Sequence, residues 1–260
     1  MSGIEAAGVG RQRLIPVSGA YNFRDIGGYH AASGVSRWGK VYRSDALSGL
    51  DEQGRAALVG LGIRRIIDLR EPDEIAAAPS LIDGLDIVTE VAPIIDRSQW
   101  HEPPMGPDYL PAVYEHFVDA CGTSIANAVR LIARSGDEPV LVHCTAGKDR
   151  TGIVVALALD AVGVGRDEIA DDFAQTEQNL GGEWLEATRI KLRATRDEAA
   201  LQAAEITLSS APELILRALD RIERNHGSST GFLLDHGLDS ADLVLLAEVL
   251  LDAPALAPAR

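Results

Sequence analysis

Apolar and polar positions along this chain switch between a period near two and a period near four. Val41 to Ser44 is a short run that predicts a strand. Asp51 to Leu61 has helical spacing, and Gly62 marks its stop. Arg64-Arg-Ile-Ile-Asp-Leu69 reads as a buried strand that ends in charge, and Leu85 to Val91 is a third strand candidate with loose alternation. From Pro93 to Pro111 neither period holds. That stretch carries Trp100, His101, Pro103, Pro104 and Pro107, the profile of a long functional loop. Helical spacing returns over roughly 111–120 and 123–135. A strand follows at 139–143, then an apolar helix at 151–162 that ends at Gly163.

Arg166 to about Ser209 is helical and rich in charge, more amphipathic than core-like, and is expected on the outside of the domain. Pro212 to His226 predicts a helix with proline near its start and Leu214, Ala218, Leu219 and Ile222 on one face. A last helix spans Asp239 to Leu251, with Asp239 or Ser240 as N-cap. Residues 1–20 are expected as a loose N-terminal arm and 253–260 as a frayed tail. Between them lies a single domain, 21–252, with no internal repeat. Strands interleaved with helices imply an α/β fold with a largely parallel sheet.

Composition narrows the field. At 260 residues and 46% apolar, the chain can bury a sizeable core. No run of 18 apolar residues predicts a membrane span, and the first twenty residues show no signal-peptide core. Two cysteines, Cys121 and Cys144, cannot make a disulfide framework, and no spacing suggests a zinc site, so neither metal nor cofactor is expected. A reducing cytoplasm is the expected compartment; export without a cleaved signal stays open. The net charge of −15 argues against nucleic acid as a partner. An anionic substrate would need a local positive field built from basic residues and backbone N–H groups.

Residues 143–152, HCTAGKDRTG, supply such a field. Five residues (Thr145, Ala146, Gly147, Lys148 and Asp149) separate Cys144 from Arg150, between a strand end and a helix start near Thr151. The unpaired N–H groups and positive dipole end of that helix favour an anion. A loop of this length can curl its N–H groups inward, and Gly147 permits unusual dihedrals. Arg150 offers a planar fork suited to two phosphate oxygens. The same field favours the thiolate of Cys144, and a thiolate beneath a phosphoryl group is a nucleophile aimed at phosphorus. The nucleotide-binding pattern G-x-x-x-x-G-K-[ST] is not met, because Asp149 follows Lys148 and Val142 stands where glycine is needed.

The run His143, Cys144, five residues, Arg150, Thr151 resembles the signature of the cysteine-dependent tyrosine phosphatase superfamily. NFRDIGG (22–28), VYRSD (41–45), IIDLRE (66–71) and the tail NHGSSTGFLLDHGL (225–238) occur in an order similar to the bacterial tyrosine/serine phosphatases of the atypical lipid-phosphatase type. That resemblance spans about 14–252. It implies a three-layer α/β/α phosphatase fold with a mostly parallel sheet and a helical lid over 166–209. It also implies a metal-independent phosphomonoesterase. Cys144 would form a phosphocysteine, Arg150 and the loop residues Thr145 to Asp149 would bind the phosphoryl group, Thr151 would bond the sulfur, and His143 would orient the loop. Phosphorylated proteins or phosphoinositides would be substrates, with no stable membrane insertion. Lys148 leans toward broad or lipid specificity.

Three aspartates compete as general acid. The resemblance points to Asp149 within the loop, or to Asp96, which follows the third strand where other relatives keep their acid. Asp68 ends a strand, and open α/β sheets place their sites at strand C-termini. Other residues carry two readings each. Asn22, Arg24 and Asp25 form a structural turn or brace the phosphate loop; Lys148 is a solvated side chain or part of the positive field; Phe173 and Trp184 pack the domain or touch substrate. A rhodanese-like sulfurtransferase and a catalytically silent phospho-binding module are the rival functions. Oligomeric state is not legible.

Overall fold

In a computed structural model, the protein is described over residues 11–95, 100–101, 103–104, 106–182, 184–186, 188–190 and 209–252. Its centre is a five-stranded sheet ordered β1-β4-β7-β5-β6. These strands are β1 (Arg24–Asp25), β4 (Val41–Ser44), β5 (Arg65–Asp68), β6 (Val88–Val91) and β7 (Val140–His143). Only β1 runs antiparallel; the other four are parallel. A small hairpin, β2 (His30–Ala31) with β3 (Gly34–Val35), stands apart. The last strand in the chain, β7, inserts between β4 and β5, which makes the carboxyl end of β7 the point where ligands gather in such sheets.

Successive residues of the strands feed two cores, as a pleated strand demands. Tyr42, Ile66 and Leu141 face a smaller core completed by α1 (Glu52–Gly60) and the N-terminal segment. Val41, Ile67, Val140 and Val142 face the larger one. There α3 (Tyr109–Ala120), α4 (Gly122–Ala133), α5 (Asp149–Ala161) and α7 (Pro212–His226) pack, with α8 (Ser229–Asp235) and α9 (Ser240–Leu250) outside them. Every residue of α5 from Thr151 to Leu159 is buried, which suits the apolar run Ile153 to Leu159. Helices on both faces of a mostly parallel sheet give the three-layer α/β/α architecture expected.

The elements differ from the sequence reading in several places, and β1, the β2–β3 hairpin and α8 have no counterpart in it. Residues 11–20 are not a loose arm: Ile15 donates to Phe23 at 2.9 Å, the Arg13 guanidinium stacks 4.0 Å over Tyr29, and Val17 is buried. Residues 1–10 and 253–260 lie outside the described residues. The short helix α2 (Pro72–Ala77) was not foreseen, although Pro72 opens it and the Glu71 N–H donates to Glu74 at 3.0 Å. β6 starts three residues later than expected. Finally, α6 (Arg166–Asn179) is no lid: it packs on α5 and α7 and buries Asp172, Phe173 and Thr176. Its charged sequence disguised a face that meets other charges inside the protein. Residues 191–208 of the expected lid lie outside the described residues.

Candidate active site

The ends of β4, β5, β6 and β7 are level, pairing Ser44 and Asp68 with His143, and Asp68 with Val91. The loop 144–148 leaves this edge, and α5 begins at Asp149, two residues earlier than the sequence suggested. Arg150 therefore rises from the first helical turn. Gly147 takes a left-handed φ of +63°, and a Cβ there would stand 2.1 Å from the Ser44 carbonyl. Only glycine fits. Ala46 donates to the Thr145 carbonyl at 3.0 Å and pins the near side of the loop to the segment after β4.

Cys144 sits at the base of the loop, 2% exposed. Behind it, His143 is fully buried; its Nδ1 lies 3.1 Å from the Cys144 carbonyl, and its Nε2 lies 3.6 Å from Asp68 Oδ2. A carbonyl only accepts, so Nδ1 carries the proton in that contact. Burial lowers the His143 pKa despite the neighbouring Asp68, favouring the neutral ring. Thr151 Oγ1 is buried with no hydrogen-bond partner among the described residues. A buried hydroxyl so placed is costly unless something else uses it.

Arg150 is held by a residue that the sequence did not single out. Its Nη1 and Nη2 donate to the Glu74 carboxylate at 2.6 and 2.8 Å, and Thr145 Oγ1 donates to the same carboxylate at 2.6 Å. Burial pushes the Glu74 carboxyl up, but the Arg150 hydrogen bond and charge outweigh it and hold the pKa at about 2. The pair in turn raises the Arg150 pKa against its own desolvation. The available signal was the helix start Glu71-Pro72 three residues before Glu74, directly after IIDLR.

The aspartates part ways. Asp149 lines the cleft beside Arg150, with its side chain 26% exposed. Its Oδ1 accepts from Lys148 Nζ at 2.9 Å and from the Tyr114 hydroxyl at 3.1 Å. Burial, with the charge of Asp149, pushes the Tyr114 pKa well up, so this hydroxyl keeps its proton. Asp68 is corrected: it does not reach the cleft. Arg70 donates to both its oxygens, at 2.9 and 2.6 Å, and the side chain is buried. It anchors Arg70 and backs His143. Asp96 lies outside the described residues. Lys148 is corrected as a solvated side chain, since it is 2% exposed and also donates to the Ser209 carbonyl at 2.8 Å.

Asn22, Arg24 and Arg43 brace the loop from behind. Asn22 Nδ2 donates to the Gly147 carbonyl at 3.1 Å, and Arg43 Nη2 donates to the same oxygen at 2.8 Å. Asn22 holds a left-handed φ of +54° and is bonded in turn by Arg24 and by Asn179. Asp25 serves the turn instead, accepting from Gly27 and Gly39 N–H groups at 2.8 and 2.7 Å. Phe173 packs edge-on to Tyr114 rather than facing the cleft.

Two hollows flank the Glu74–Arg150 pair, and Glu74 lines both. One, of about 280 Å³, has Trp100, Tyr109 and Phe117 in its wall with Asp149 and Arg150. The other, of about 520 Å³, is bounded by Tyr21, Arg70, Thr145, Trp184 and Thr188. Trp184 thus lines the second hollow rather than the one that holds Asp149 and Arg150. Among the described residues, no group of three or more His, Cys, Asp or Glu side chains could hold a metal ion, and no helix is long and apolar enough to cross a membrane.

A cysteine at the floor of a glycine-turned loop, an arginine from the first turn of the following helix and a parallel sheet edge define the class of cysteine-based phosphatases. Comparison makes the assignment specific. The sequence profile of the tyrosine phosphatase family matches residues 15–252, and the chain belongs to that family. It is 32% identical over 275 aligned positions to the triple specificity protein phosphatase PtpB of Mycobacterium tuberculosis, covering 90% of this chain and 97% of that one. A tyrosine-protein phosphatase of Nostoc commune is 34% identical over 145 positions, covering 54% of this chain and 49% of the relative. Among solved structures, TpbA of P. aeruginosa aligns with a TM-score of 0.34 at 16% identity, over 77% of this chain and 96% of that one. The protein is therefore a hydrolase of the metal-independent tyrosine phosphatase type, which displaces the sulfurtransferase and silent-binder alternatives.

Proposed function

We propose that the protein hydrolyses phosphate monoesters through a phosphocysteine on Cys144. The observation that carries this reading is the seat of Cys144 at the base of the loop, under the N-terminus of α5 and beside Arg150. The Cys144 thiolate attacks phosphorus, and the P–O bond to the leaving group breaks as the S–P bond forms. Arg150 and the loop N–H groups bind the three non-bridging oxygens as charge redistributes. Asp149, which lines the same cleft, delivers a proton to the leaving oxygen. Water then attacks phosphorus, the resulting carboxylate of Asp149 takes its proton, and the S–P bond breaks to release phosphate. The unpartnered hydroxyl of Thr151 is available to the departing sulfur, and His143 fixes the carbonyl from which the loop departs.

The aromatic wall formed by Trp100, Tyr109 and Phe117 suits an aryl phosphate, so phosphotyrosine is the leading substrate. The mycobacterial relative is named a triple specificity phosphatase, which supports a wider range that includes phosphoserine/threonine and phosphoinositides. Two cysteines and no disulfide fit a reducing cytoplasm. The test is Cys144→Ser. It should lower p-nitrophenyl phosphate hydrolysis at least about 1000-fold while keeping the fold and inorganic phosphate binding. Wild-type activity in that variant would sink the mechanism. kcat/KM over phosphopeptides and phosphoinositides ranks the substrates.

A further inference from the structure

Asp172 lies 28 residues beyond Cys144 in the chain, on α6, yet it ends up beneath the phosphate loop. Its Oδ1 accepts from Arg24 Nε at 2.9 Å and from the Tyr29 hydroxyl at 3.0 Å, while Oδ2 accepts from Arg43 Nη1 at 2.6 Å. All three charged side chains are at most 3% exposed. Nη2 of the same Arg43 donates to Gly147, the residue whose left-handed φ lets the loop curl. The second donor to that carbonyl is Asn22, which Arg24 bonds. Both routes from Asp172 thus converge on one oxygen in the loop.

We propose that Asp172 is a positioning residue for the phosphate loop, acting through Arg43 and through Arg24–Asn22 on the Gly147 carbonyl. Two donors behind the loop hold this oxygen on the sheet side, leaving the opposite face of the loop for N–H groups and substrate. The register of α6 is fixed by a neighbour: Phe173 lies so close over Gly152 that a Cβ there would stand 2.9 Å from its ring. The last glycine of HCTAGKDRTG therefore admits the helix that carries Asp172. Charge adds to geometry. Two guanidiniums share one carboxylate, the groups that bond to them (Tyr29, Asn22 and Thr176) are neutral, and Arg13 stacks on the far side of Tyr29, so the charge behind the loop is net positive. On the loop side, Lys148 Nζ lies 2.9 Å from Asp149 Oδ1.

This proposal rests on the cysteine mechanism above, and its test is chosen to fail separately. Asp172→Asn, Arg43→Met and Tyr29→Phe are compared with wild type for kcat, KM, inhibition by inorganic phosphate, thermal midpoint and the pH midpoint of Cys144 alkylation by iodoacetamide. A loop displaced by a fraction of an ångström should lower kcat/KM of folded Asp172→Asn at least about tenfold and weaken phosphate inhibition in step. The alkylation midpoint should move down in Asp172→Asn, where a negative charge is lost, and up in Arg43→Met, where a positive one is lost. Removing one partner of a buried pair can unfold a protein. If Asp172→Asn does not fold, Tyr29→Phe, which deletes a single hydroxyl, decides by the same kinetic criteria. Variants that melt earlier yet keep wild-type kcat, KM, phosphate inhibition and alkylation midpoints per folded molecule overturn the proposal. If Cys144→Ser is dead while Asp172→Asn is fully active, the positioning role falls and the cysteine mechanism stands.

Discussion

Cys144, Arg150 and their neighbours were legible as a candidate site because the pattern is local: one loop between one strand and one helix holds the proposed nucleophile, the proposed clamp and the turn glycine within seven consecutive residues. What the sequence hid are partners brought in by packing. Glu74 reaches Arg150 across 76 residues, Tyr114 reaches Asp149 across 35, and Asp172 reaches Arg43 across 129. Neither propensity nor periodicity carries such pairings. Two of the three candidate acids show the same divide. Asp68 and Asp149 are both aspartates near a strand end, yet one is closed off by a bidentate arginine and the other lines the cleft. Asp149→Asn should lower kcat about 100-fold or more on phosphotyrosine peptides. The loss should shrink for p-nitrophenyl phosphate, whose leaving group needs less help from a proton. Equal losses on both substrates, measured in steady state, would remove Asp149 as the acid.

Among the elements, strands and long helices followed their hydrophobic periods, and most boundaries fell within two residues of the pattern. The exceptions have physical causes. α5 starts early because Asp149 and Arg150 complete its first turn, although their polarity looks like loop in sequence. α6 reads as a surface helix because its inner face carries Asp172 and Thr176, which meet arginines inside the protein instead of apolar side chains. The loop itself is the least forgiving element. Gly147→Ala puts a side chain into a left-handed residue and against the Ser44 carbonyl. The expected cost is on the order of 2 kcal/mol or more, with activity lost because the loop must move to relieve the contact. Urea unfolding with parallel activity assays checks this. A stable, active Gly147→Ala protein would mean that the loop tolerates another shape.

At the scale of the whole molecule, a chain of net charge −15 binds an anion by gathering its positive charge where the sheet ends. The same arrangement sets how stability responds to acid. Burial depresses the folded pKa of His143 below its ordinary 6.5, so protonating the unfolded chain is easier and stability declines as pH falls below about 6.5. Glu74 and Asp172 are each held at about 2, below their ordinary 4.5 and 3.8, with the arginines outweighing burial. Their stabilisation is present above those ordinary values and is lost as pH falls toward 2. Burial raises the Asp25 pKa and works in the opposite direction. Thermal midpoints should therefore ease down below pH 6.5 and drop steeply between about pH 4.5 and 2. Glu74→Gln should flatten the steep part; an unchanged acid slope in that variant would contradict the assignment.

The carboxylate of Glu74 has a last consequence, for the cost of recognition. A free arginine side chain surrenders about 2 kcal/mol of rotational freedom when it is immobilised. Here Glu74 and Thr145 immobilise Arg150 while the protein folds, with both Nη groups already engaged. In the proposed mechanism the arriving phosphoryl group meets a guanidinium that is already stationary, so less of its binding energy goes into ordering the protein. Glu74 is thus a resident anion that keeps the anion site in shape between turnovers, and stiffness at this arginine is set by folding before any substrate arrives.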